Sequence, residues 1–115
     1  MEAREPRLKP LMIHEEIRSL LETPPDGEDA PTIDTIEHTL TAGYARALAL
    51  EAERWRLQQR LREMTAAVAR GETASRLELA AAMRQLKRQE DEIGALRQEL
   101  GRLQQRHSSV VRATA

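Results

Sequence analysis

The sequence contains no cysteine and no phenylalanine, and only one tryptophan and one tyrosine. Without thiols there is neither a disulfide framework nor thiolate metal or redox chemistry. Aromatic residues at 2% beside charged residues at 32% exclude a broad globular core. No apolar run approaches the roughly 18 residues of a membrane span, and the N-terminus has no secretory apolar core, so a cytoplasmic protein is expected. An excess of one charge is missing too: 18 Lys+Arg against 19 Asp+Glu leave a formal net charge of −1. That balance removes the general electrostatic case for nucleic acid or an anionic membrane. Divided at Gly71, ten bases meet thirteen acids before it and eight meet six after it, a small difference.

Chemical motifs are equally scarce. "HEEIR" at residues 14–18 resembles half of a zinc-protease helix, but Arg18 stands where the second histidine belongs. His14, His38 and His107 are scattered. His38 and His107 could approach one another, yet two imidazoles without a carboxylate at ligand spacing make a poor metal site. There is no glycine-rich phosphate loop and no nucleophile with a base at hand. The expectation is a non-enzymatic chain with no metal and no cofactor.

What the sequence does contain is helix-forming material. Ala, Leu, Glu, Gln and Arg dominate the second two-thirds, and these side chains lose little freedom in a helix. Residues 10–22, "PLMIHEEIRSLLE", place Leu11, Ile13, Ile17, Leu20 and Leu21 at helical spacing behind Pro10, predicting a short amphipathic helix. "TPPDGEDAP" at residues 23–31 is a linker that no helix crosses. Residues 1–31 therefore read as an N-terminal arm, with its short helix as a linear docking element for a partner.

From Ile33 a heptad pattern begins, with Ile33, Leu40, Ala47, Arg54, Leu61 and Val68 at position a and Ile36, Gly43, Leu50, Leu57 and Met64 at d. After "RGETAS" a second register carries Leu79, Leu86, Ile93, Leu100 and His107 at a and Ala82, Gln89, Leu96, Leu103 and Val110 at d. Sustained 3-4 spacing of this kind is the signature of a coiled coil. Gly71 suits a helix C-terminus, and Thr73 or Ser75 suits the next N-terminus. So short a break predicts an antiparallel neighbour: helix 32–70, turn 71–74, helix 75–108 and a flexible tail 109–115. The expected fold class is all-α, an antiparallel two-helix coiled-coil hairpin preceded by the arm.

An antiparallel seam requires facing residue numbers to add to a constant, here 143. Gly43 then faces Leu100, Ala47 faces Leu96, Leu50 faces Ile93, and Leu61 faces Ala82, pairing small with large. Ile36 faces His107. Arg54 faces Gln89, so the two polar exceptions share one layer and penalise slipped registers, with Glu51, Glu53, Glu90 and Glu92 near the guanidinium. Tyr44, Leu48 and Trp55 form a second apolar stripe beside the seam. Three covers are open to it: the folded-back arm, a second copy completing a four-helix bundle, or another protein. A homodimer leads, with these three residues as its anchors.

The stretch "IDTIEHTLTAGYARALALEAERWRLQQRL", residues 33–61, resembles small coiled-coil proteins of GC-rich actinobacteria. The resemblance implies a helical fold and no activity. Similarity to transcription-elongation hairpin factors is architectural only, and the turn Arg70, Gly71, Glu72 lacks the Trp-x-Gly of small type VII secretion substrates. The function expected is an adaptor or scaffold binding itself and a protein partner. The alternative is a regulator acting on transcription machinery or DNA through Arg54, Arg56, Arg60, Arg62 and Arg70, although interleaved acids disfavour nucleic acid.

Overall fold

The computed structural model describes residues 10–72 and 74–114. The charged segment 1–9, the suggested cap Thr73 and the side chains of Leu11 and of the other suggested cap, Ser75, lie outside what is described. Three helices occur in order: α1 (Pro10–Glu22), α2 (Ile33–Ala69) and α3 (Ala74–Thr114). The described residues include no strand.

Each boundary has a local cause. Thr32 caps α2, its hydroxyl accepting the Thr35 amide at 3.1 Å. The Thr35 hydroxyl, in the place of a capping-box acid, pairs with that of Thr32 at 2.8 Å. Asp34 adds a negative charge to the first turn. At the other end Gly71 takes a left-handed φ of 87°. Its amide donates to Val68 at 2.9 Å, and the Glu72 amide donates to Ala67 at 3.2 Å. Those two bonds are a Schellman closure, which satisfies carbonyls that the end of a helix would otherwise leave open. Helix α3 runs on through Thr114, so residues 109–114 are helical and not a flexible tail. Ser108 and Ser109 made that end look weak, but half-buried Val110 continues the apolar pattern past them.

The chain divides into two compact units. One contains α1, α2 as far as Ala47, and α3 from Leu96 onward. Its core is Ile13, Ile17, Ile36, Leu40, Ala47, Leu96, Leu100 and Leu103, all at or below 6% exposure. A Cβ built on Gly43 would stand 2.5 Å from Leu100 Cδ2 and 3.5 Å from Ile17 Cδ1, so all three helices converge on that glycine. His107 Nε2 meets Glu37 Oε2 at 2.8 Å. Numbers therefore rise along α2 as they fall along α3 within this unit, in the order an antiparallel pair requires.

The other unit spans Leu48–Ala95. Leu50, Leu57, Ala67, Ala82 and Ile93 are buried in it. Leu61, Met64, Val68, Leu79 and Leu86 are half-buried. Here only portions of α2 and α3 and their connection are present. That is why fewer of its heptad positions are fully covered than in the three-helix unit.

Candidate partner-binding face

Helix α1 begins as a poor helix on its own. Thirteen residues are marginal in water, and it has neither an acid in its first turn nor a base in its last. Helix α3 supplies what is missing. Arg106 Nη1 donates to the carbonyls of Leu20 and Leu21 at 2.6 Å each, and Nη2 donates to the carbonyl of Thr23. A guanidinium on the last carbonyls both satisfies them and opposes the negative end of the helix dipole. Nearer the middle of α1, His14 Nδ1 lies 2.8 Å from Glu99 Oε1, each side chain only 13% exposed, and Arg18 Nε reaches Glu99 Oε2 at 3.3 Å.

Thr39, Glu99 and Arg106 each directly precede a position-a residue, so they share one flank of the seam, and α1 bonds to the last two of them there. Thr39 is 5% exposed, the single buried polar residue among those described. The expectation for the arm is corrected by this packing. Ile13 and Ile17 are 2% and 0% exposed, and Leu20 and Leu21 are half-buried, so these side chains are committed within the chain and are not a free docking element.

Within the first unit the arm folds back and leaves Tyr44 exposed. Tyr44 follows Gly43 on the opposite flank and stays 37% exposed in the first unit. Charge decides the choice of flank: the side bearing Glu99 and Arg106 offers partners to His14, Arg18 and the α1 carbonyls. In the second unit Leu48 and Trp55, one heptad apart on α2, are 64% and 61% exposed. Leu77 and Met83 on α3 are also exposed, at 81% and 58%. Large apolar side chains on a thin helical unit are the material from which interfaces are made.

The polar pair is placed in the seam but is not bonded. Arg54 and Gln89 are both half-buried. Gln89 Oε1 is buried with no hydrogen-bond partner, and among the described residues Arg54 has neither a hydrogen bond nor an ion pair. The expected carboxylate contact is thus replaced by partial hydration of the guanidinium, which costs less than fixing a long side chain against an exposed acid. A buried carbonyl without a donor carries a penalty of about 1–3 kcal/mol. Gln89→Leu is therefore expected to raise stability by about 1–2 kcal/mol in thermal or urea unfolding; a lower midpoint would show that the carboxamide contributes a bond of its own.

Other ionic contacts lie at the surface. Arg70 pairs with Glu72 at 3.1 Å beside the turn, and Lys87 with Asp91 at 2.9 Å. The hydrogen bond to Asp91, followed by the charges of Asp91 and Glu90, holds the Lys87 ammonium above its ordinary pKa despite a small opposing effect of burial. His107 is taken by Glu37, and no group of three or more metal-ligating side chains occurs among the described residues. No helix among them is long and apolar enough to cross a membrane. Compared with known proteins, the chain matches no family model, no curated protein and no solved structure.

Proposed function

We propose that this chain is a non-enzymatic coiled-coil scaffold, working in the cytoplasm, whose α2 and α3 zip as an antiparallel hairpin and whose exposed face binds a second copy and a protein partner. The observation that carries the reading is the exposure of Leu48 and Trp55 at 64% and 61% on one line of α2. The chain's own short helix is engaged elsewhere: within the first unit α1 is bound to the flank of Glu99 and Arg106. Pairing two hairpins across this face gives a four-helix bundle with Trp55 as its central anchor. Tyr44, less exposed and in the first unit, is the weaker candidate anchor.

Sedimentation equilibrium tests it. Wild type is expected to form dimers, and Leu48→Ala with Trp55→Ala to sediment as a monomer of unchanged helicity, since truncations at exposed positions usually shift intrinsic stability by no more than about 0.5 kcal/mol. A double variant that keeps the wild-type mass would remove these residues from the interface. A wild type that stays monomeric at every concentration would remove self-association.

A further inference from the structure

Charge is segregated along the chain in a way its near-zero total conceals. Between residues 15 and 37 stand eight acids and one base, Arg18. Between residues 54 and 88 stand nine bases and three acids. Cutting at Gly71 hides this, because the turn lies in the middle of the basic stretch. Most members of both sets face water. Glu15, Glu22, Asp26, Glu28, Asp29 and Asp34 are exposed. So are Arg56, Arg60, Arg76, Arg84 and Arg88, and among the described residues none of these five arginines has a side-chain hydrogen bond or ion pair.

A set of like charges that outnumbers its counter-charges three to one repels itself and attracts the opposite sign over the distance of a Debye length. The second unit adds apolar contact area in the same stretch, from Trp55, Leu77 and Met83. From this complementarity we infer that the basic stretch 54–88, which lies within the second unit, is the docking surface for the acidic segment 15–37 of a second copy of this chain. The inference rests on the self-association proposed above and gives it a direction, acidic segment to basic stretch. A net −7 set against a net +6 neutralises both almost completely. A nucleic acid on the same surface would leave the acidic segment unmatched and repelled. Made reciprocally about a two-fold axis, the contact closes a pair and does not propagate into chains.

A charge swap on the full chain tests this. One copy carries Arg56→Glu, Arg60→Glu and Arg84→Glu, all at exposed helical positions where glutamate is a good helix former. The other carries Asp26→Lys, Glu28→Lys and Asp29→Lys, in the linker between α1 and α2, where there is no helix to disturb. Circular dichroism establishes that each is folded. Each variant alone is expected to be monomeric at concentrations where wild type pairs, and an equimolar mixture to pair again, because both contacts are then between opposite charges. Wild-type pairing is also expected to weaken about tenfold or more between about 0.05 and 0.5 M salt, as the screening length falls to roughly a third. If either variant alone pairs as tightly as wild type, or the mixture stays monomeric, the charge-directed contact is wrong. In that case the effect of Leu48→Ala with Trp55→Ala still decides the apolar interface separately. Saturable binding of a single-stranded oligonucleotide to a monomeric wild type would assign the basic surface to nucleic acid and overturn the inference.

Discussion

Replacing Ile17 by aspartate is expected to release α1 from the chain while leaving the second unit folded. Ile17 is fully buried, and its Cδ1 lies against the Gly43 backbone at the meeting point of three helices. A carboxylate there has no partner, and an unpaired buried charge is costly enough that the helix will leave its seat sooner than bury it. The loss is on the order of 3–5 kcal/mol for the docking of α1, more than its other contacts supply. Once detached, a 13-residue helix without its own end charges is marginal in water. Hydrogen exchange reads this directly: amides of residues 14–22 lose their protection, whereas those around Leu50, Leu57 and Ile93 keep theirs. Unchanged protection across α1 would mean that Ile17 does not hold it. Ile17→Val, which keeps the apolar contact, is the control and costs only about 0.5–1.5 kcal/mol.

The second large effect lies in the same layer and is an interaction, not a single loss. Leu100→Ala removes a side chain that is 1% exposed and is expected to cost about 3–5 kcal/mol. Gly43→Ala in the wild-type background places a methyl 2.5 Å from Leu100 Cδ2, and overpacking of about 1–3 kcal/mol outweighs the roughly 1 kcal/mol gained in helix propensity. Combined, the two changes relieve one another. With Leu100 shortened, the new methyl fills part of the void and the propensity gain survives, so the double variant is expected to be more stable than Leu100→Ala alone. Urea unfolding of the four proteins in a double-mutant cycle measures the coupling. Strict additivity would show that the two side chains do not meet.

How much of this was legible follows from what periodicity encodes. Spacing alone placed every a and d position: each is buried or half-buried, including the exceptions Gly43, Arg54, Gln89 and His107. Complementary size identified Gly43 as the partner of Leu100. A lone Gly in a helical repeat invites a search for a large neighbour. The seat of α1 was not legible, because its flank is marked by Thr39, Glu99 and Arg106, and polar residues beside a seam look like solvated surface. A usable signal existed in the absence of a base from the last turn of α1 and the presence of unexplained charges on α3. Arg54 and Gln89 are each half-buried, but their lack of a hydrogen bond was not legible, since matching polarity does not fix the direction of a donor.

Arg106 has one further consequence, for the timing of folding. The guanidinium that finishes α1 is separated from it by more than eighty positions, so during synthesis α1 leaves the ribosome well before the helix that completes its seat. Until α3 emerges, Ile13 and Ile17 lack the α3 side of their seat, with α2 alone to pack on, and loop closure over that separation is slow compared with local helix formation. A nascent chain of this protein therefore leaves a sticky amphipathic segment partly exposed between the synthesis of α1 and that of α3, an interval in which a chaperone or a neighbouring nascent chain can bind it.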